Sequence, residues 1–437
     1  MGLAAAVYGA DAVDPRSAVY EINLAKAAPG DKGFEVALRT EGGKFVDGIS
    51  VAPGLNNMAQ EVDCSGLRLE GAAIKGKLKI TFVFDGYGPA GGKPLACEYD
   101  IDARIDGAKV TGKFDGVYGV GAGIEKMREQ KLAGDLTGTV AVPAGLGGYW
   151  VLDLQMENGR GAGPLGKDTW GNRVYPKLVW KDGKLVQSFI HGWGGRAQIN
   201  YLECAVARSD LAFDGKRLSG AITAKATSGD EYVFTFDGKA VGSIVGGTFA
   251  KQFNGKEATG APFRGTLRPM PQQPVNQALF YLELHGAVDG KHQLMAFAPR
   301  VAGAFGEGMA YSGSWNHTYH DVDAAGLKLD GDVLSGELKA VMNPDPYMPA
   351  DRKPRPGAYT ITARVIDGRL VQGTYSGTFR DQKVSGIVLG ELLEMPAPPE
   401  PVSLYLKLDD GVNEGAPWFR RVFLGFTALN GQADKGG

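Results

Sequence analysis

The chain has 437 residues, a formal net charge of −2, 43% hydrophobic residues and 22% charged residues. That length and apolar content suffice for about three globular domains. The balanced charge offers no basic patch for a phosphate backbone, which argues against nucleic acid as a partner, and no apolar run reaches the ~18 residues of a membrane-spanning helix.

Glycine is the one compositional excess, with 66 residues, about twice the usual ~7%. It follows no collagen period. It stands after Asp or Asn in turns, and at alternate positions within strand-like runs.

Residues 1–17 read as an N-terminal tail or the remnant of a secretory signal. Leu3 to Val7 is a short apolar stretch, and Ala10-Asp11-Ala12 fits a small-residue cleavage site, although no basic segment precedes it.

Beyond this tail the chain repeats itself. The segment from Gly66 to Gly71, followed by Ile74, Gly76 and Leu78, recurs from Asp210 to Gly215 with Leu218, Gly220 and Ile222. It recurs again from Gly326 to Gly331 with Leu334, Gly336 and Leu338. Each copy opens on a short alternating strand: Val19 to Leu24, Trp150 to Met156, Phe280 to Leu284 and, in an unfinished fourth copy, Leu404 to Leu408. The spacing, roughly 130 residues, is too long for a solenoid unit of ~20–50 residues and suits one domain per copy. The boundaries follow as repeat 1 at 18–142, repeat 2 at 148–268, repeat 3 at 278–395 and a partial repeat 4 at 402–437. The joints Pro143 to Gly148, Pro269 to Pro274 and Pro396 to Pro401 are proline-containing, semi-rigid spacers.

Within each repeat the hydrophobic period is two. Tyr99, Ile101, Ala103 and Ile105 alternate with charged residues, and Tyr359, Ile361, Ala363 and Val365 with threonine and arginine. Asp182-Gly183, Asp237-Gly238, Asn254-Gly255 and Asp367-Gly368 are hairpin turn signals. About eight strands per repeat in a meander follow, so the fold class is all-β: three tandem antiparallel domains, each a β-sandwich or an eight-stranded barrel, plus a partial fourth. Only Ile124 to Lys131 reads as a short helix. In the closing strands, Leu132, Gly134, Leu136, Gly138 and Val140 alternate as do Val384, Gly386, Val388, Gly390 and Leu392. Glycine weakens a strand, so its repetition on one face points to close backbone approach or to an aromatic ring laid over it. Three cysteines make no disulfide framework; Cys64 and Cys97 are a candidate pair, and otherwise all three, Cys204 included, are buried thiols.

The departures from the repeat carry the functional candidates. Trp170 precedes Asn172 and Arg173, while His191, Trp193 and Arg196 sit together in repeat 2. Trp315, Asn316, His317 and His320 occupy the matching region of repeat 3. Exposed tryptophan faces stack on the apolar C–H face of a sugar ring while nearby Asn and Arg bond its hydroxyls, so these residues are candidate glycan-binding residues. Trp180 lies inside an alternating run and reads as core. His317 and His320, three apart in an extended segment beside Asp321 and Asp323, fall on opposite faces, so no metal site is assigned. Two longer segments, Gly86 to Pro94 and Pro344 to Pro356, are proline-stiffened and carry Tyr87 and Tyr347. No nucleophile elbow, P-loop, dinucleotide fingerprint or zincin motif occurs, so no catalytic residue and no cofactor is assigned.

Two functional readings result. One is a non-enzymatic, exported multi-domain protein with a structural or adhesive role at the cell surface, self-associating through the partial fourth repeat. A third of a domain cannot bury a core of its own; it either belongs to a longer array or completes a sheet by strand addition. The other is a secreted or envelope carbohydrate-binding protein, an accessory module of polysaccharide processing, with a glycan-active enzyme as its less favoured variant.

Overall fold

The computed structural model describes residues 13–52, 59–82, 94–120, 129–141, 147–157, 173–193, 201–226, 231–290, 292–312, 316–342, 354–395, 402–409, 421–429 and 432–434. Among them the period-two runs are strands and no helix occurs. Strand β5 (Ala73–Phe82) shows why: Ile74, Leu78, Ile80 and Phe82 are buried, and Lys75, Lys77, Lys79 and Thr81 between them are exposed. A chain with that alternation loses its apolar face to water in any conformation but a half-buried strand.

The choice between sandwich and barrel falls to the barrel. In the first repeat, β1 (Val19–Ala28), β2 (Lys32–Glu41), β3 (Lys44–Val51), β4 (Ala59–Glu70), β5, β6 (Leu95–Asp106), β7 (Lys109–Val120) and β8 (Gln130–Ala141) pair in sequence order. The ring closes where β8 returns to β1, Val19 opposite Ala141 and Leu24 opposite Leu136. The second repeat closes in the same way, Lys256–Pro269 pairing with Tyr149–Glu157. The third closes where Gln382–Leu393 pairs with Ala278–Val288. After it comes a three-stranded sheet, Val402–Asp409, Arg421–Leu429 and Gln432–Asp434. The expected helix from Ile124 to Lys131 is corrected in part: Gln130 and Lys131 belong to β8, where pairing with β7 claims their backbone, and 121–128 lie outside the described residues.

The chain divides into two compact units, Met1–Met270 with the first two barrels and Pro271–Gly437 with the third barrel and the small sheet.

The barrel interiors are filled. In barrel one, Phe34 meets Phe82 at 6.0 Å and Tyr99 at 6.3 Å, and Tyr99 meets Phe114 edge-on at 5.4 Å. In barrel two, Phe236 packs between Phe249 at 6.5 Å and Phe263 at 5.5 Å. Trp180 is core, as its alternating run implies, and touches Phe213 at 6.2 Å. In barrel three Tyr359 meets Tyr375 at 5.8 Å. Glycine makes room for these rings: a Cβ on Gly134 would stand 2.9 Å from the Phe114 ring, and one on Gly386 would stand 3.0 Å from Tyr375.

The phenols inside need acceptors. A bulge in the first strand of barrels one and three, after Leu24 and Leu284, leaves carbonyls out of the ladder. Tyr99 donates to the Ala27 carbonyl at 2.5 Å, Tyr359 to Ala287 at 3.2 Å, and Tyr375 to His285 at 2.7 Å. Burial holds the Tyr99 and Tyr359 hydroxyls far above the usual phenol range. Cys64 and Cys97 are free, buried thiols rather than a disulfide, and burial pushes Cys97 up to about 11. The Cys204 side chain lies outside those described.

Within the first unit, barrel two docks on barrel one. The hairpin joining its sixth strand (Glu231–Val241) to its seventh (Ile244–Phe253) lies on the outer face of β1–β4. Val241 and Ile244 bury against Ala37, Ile49 and Val51. Lys239 reaches Asp47 at 3.1 Å and Glu61 at 3.3 Å, Lys216 reaches Glu41 at 2.9 Å, and Glu21 accepts the Ser243 amide at 2.6 Å.

Candidate functional site

Packed aromatic rings occupy the described interiors, and the candidate residues are located on the strands and at their ends. Up-and-down connectivity sorts the connections into two rims. One rim carries the tight turns after the second, fourth and sixth strands, such as Gly42-Gly43, Gly71-Ala72 and Gly107-Ala108 in barrel one. The other carries the connections after the first, third, fifth and seventh strands, which vary between repeats. The proline-stiffened segments 83–93 and 343–353, between the fifth and sixth strands in sequence, lie outside the described residues.

Of the sequence candidates in barrel two, His191 and Trp193 end its third strand (Lys184–Trp193). Trp170, Arg196 and Trp315 lie outside the described residues. The strands on either side of them are described. Glu157 pairs with Arg173, Arg173 with Trp193, and Trp193 with Tyr201, one register row across the first four strands of barrel two. His191, two residues before Trp193, pairs with Tyr175 and Glu203. The row sets Arg173, the first described residue after 158–172, beside Trp193, the last before 194–200, a relation that spacing did not reveal. In barrel three, Asn316, His317 and His320 begin the fourth strand (Asn316–Asp323), with Asn316 opposite Ser312 and His320 opposite Ala310.

Barrel three also carries a polar cluster that sequence reasoning passed over. Along the outer face of its first strand stand Tyr281, Glu283 and His285. The Tyr281 hydroxyl donates to Glu283 Oε1 at 2.7 Å, and the other Glu283 oxygen lies 3.8 Å from His285 Nε2. Glu283 and His285 are buried, as is Glu391, which pairs with Tyr281 on the neighbouring strand. At the strand's end, His292 Nδ1 stands 2.8 Å from Asp289. Barrel one has Glu21, Asn23 and Ala25 at the three positions, and barrel two has Asp153, Gln155 and Glu157, so the array is particular to barrel three. Buried acids on a strand face cost free energy unless bonded, and here a phenol and an imidazole lie beside one of them. The signal in the sequence was the i, i+2, i+4 spacing of Tyr281, Glu283 and His285. Among the described residues, no three His, Cys, Asp or Glu side chains are placed to hold a metal ion.

Compared with protein-family models, curated proteins and solved structures, the chain matches none. The site is therefore read from its own chemistry: His191 and Trp193 at the end of one strand of barrel two, and a Tyr–Glu–His array on one outer face of barrel three.

Proposed function

We propose that this is an exported, non-enzymatic structural or adhesive protein of the cell envelope or exterior, built to self-assemble. The observation that carries the reading is the docking of barrel two on barrel one. A turn-rim hairpin of one repeat seats on the outer strands of another through a small apolar plug ringed by ion pairs. Repeats that recognise each other in this way, with filled interiors, are modules for stacking. The small sheet Val402–Asp434 adds strand edges available for pairing with another chain. Mass photometry of the full chain beside a chain ending at Met395 tests this. Assemblies of the full chain that disappear on truncation are expected; monomers in both preparations at every concentration would sink the reading.

A second reading, glycan binding by barrel two, is favoured by the register row that sets Arg173 beside Trp193. A stacked aromatic of this kind is worth about 0.5–1.5 kcal/mol beyond its buried area. Trp193→Ala is therefore expected to weaken binding of the best ligand on a glycan array by about tenfold. Equal binding by both forms removes Trp193 from the site.

A further inference from the structure

The face of barrel one that receives barrel two has a counterpart on barrel three, and strand register defines it. One row across barrel one runs through Glu21, Ala37, Ile49, Glu61 and Thr81. The same row across barrel three runs through Tyr281, Phe297, Met309, Asp321 and Val341. Glu307, two residues before Met309, holds the place that Asp47 holds before Ile49.

On barrel one the face is covered. Ile49 is 2% exposed, and the covering hairpin sets Lys239 between Asp47 and Glu61. On barrel three Met309 is 50% exposed and Val341 37% exposed, and Glu307 and Asp321 stand exposed beside Met309. An apolar position open to water between two acids is an acceptor face of the same kind without its donor.

The docking on barrel one fixes what a donor must carry. Its tip has two branched aliphatic residues, Val241 and Ile244, paired at the end of the ladder, and a lysine two residues before the first. Barrel three repeats that tip: Arg364, Ile366 and Leu370 occupy the register positions of Lys239, Val241 and Ile244. Barrel one does not, because Asp106 and Lys109 take the two apolar places. None of the three can serve the Met309 face. The hairpin of barrel two is engaged on barrel one, that of barrel three has Leu370 only 1% exposed, and that of barrel one lacks the plug.

We infer that the outer face of barrel three around Met309 receives the sixth-to-seventh-strand hairpin of a further repeat of this kind, one that the three barrels do not themselves supply. It presents two branched aliphatic side chains to Met309 and Phe297, and a lysine or arginine to Glu307 and Asp321. This rests on the stacking reading and assigns it a surface and a donor chemistry. Both parts of the tip are needed. The apolar pair supplies the buried area, and the cation answers two acids that would otherwise lose water without a partner. The same acids make the face selective, since a tip carrying aspartate in the first apolar place, as barrel one does, meets like charge.

The test is a titration of the full chain, with isotope-labelled methionine methyl groups, by a disulfide-cyclised peptide of the Asp237–Thr248 sequence. Met309→Leu assigns the Met309 resonance. That resonance is expected to shift saturably in the millimolar range of peptide, while those of the buried Met156 and Met342 stay in place. Peptide carrying Lys239→Glu is expected to bind about tenfold more weakly, and Asp321→Lys in the chain to recover most of that loss. Peptide carrying Val241→Asp and Ile244→Asp is expected not to bind. A Met309 resonance that stays in place, or that follows the double-aspartate peptide as closely as the native sequence, overturns the inference. Mass photometry of the same preparation decides self-assembly independently, so an unmoved Met309 in a chain that assembles removes this surface alone.

Discussion

Gly336→Val is expected to destabilise barrel three by about 3–5 kcal/mol, with Gly76→Val doing the same to barrel one. The two glycines are the same position of the repeat. Their φ angles are +121° and +122°, and Gly220 of barrel two has +110°. A side chain is strained there in itself. A Cβ on Gly336 would also press on the Gly326 carbonyl oxygen and stand 3.1 Å from the Leu327 Cα; on Gly76 it would press on the Gly66 carbonyl. These atoms are backbone of the paired fourth strand, so no rotamer relieves the contact. The fourth strand breaks register just before this point, between Asp63 and Gly66 in barrel one, and the chain must pass close to its neighbour to resume pairing. Gly331, at the turn between the same strands, is the control. Its φ is +59° and a Cβ would meet nothing within 4 Å, so Gly331→Asn should cost less than about 1 kcal/mol. Hydrogen exchange measured by mass spectrometry separates the effects by barrel. Gly336→Val should speed exchange in 278–393 and leave the first unit unchanged. Equal protection in Gly336→Val and Gly331→Asn would refute the account.

That repeated motif shows why the architecture was legible. Leu67, Ile74, Leu78 and their counterparts alternate because they line a barrel, and the glycines recur because one backbone geometry recurs. Periodicity of this kind is local, so a sequence displays it. Closure was not legible. Sandwich and barrel share the same alternation, and the difference lies in whether Leu136 meets Leu24, a contact across more than a hundred residues. The helix expected around Ile124 failed at Gln130 and Lys131 for the same reason, since pairing with Lys131's neighbour Val117 outweighs local preference. The candidate rim was half legible. Trp170 and the His191–Arg196 segment stood out by composition, and only strand pairing sets Arg173 beside Trp193. The Tyr281–Glu283–His285 array was in view as the outer positions of a strand, but an alternating strand normally gives those positions to water, and nothing local marked them as buried.

The docking of barrel two on barrel one makes the second large prediction, because it separates folding of the barrels from their coupling. Val241 and Ile244 are 1% and 5% exposed, yet they sit at a hairpin tip outside their own barrel's core and bury on Ala37, Ile49 and Val51. Burying two such side chains contributes about 1.5–3 kcal/mol each. Replacing them by aspartate removes that and places charge beside Glu21 and Asp47. The double variant Val241→Asp/Ile244→Asp should therefore lose most of the coupling, about 3–5 kcal/mol, while each barrel keeps its closed ring and its own core. In calorimetry a shared transition of the first two barrels is expected to resolve into two. In small-angle scattering of the same samples the particle is expected to lengthen. Acid should act in the same direction. The Lys216 ammonium, bonded to Glu41 across the interface, holds that carboxyl below its usual range. A carboxyl lowered in the folded state contributes stability above its unfolded value and gives it up as pH falls through the lowered folded value. The coupling should accordingly weaken on acidification through the carboxylate range, and Lys216→Ala should remove the part of that dependence that belongs to Glu41. If the double aspartate variant melts as one transition at the wild-type temperature, the two barrels are held by their proline-containing joint rather than by this face, and the stacking logic that supports self-assembly loses its basis.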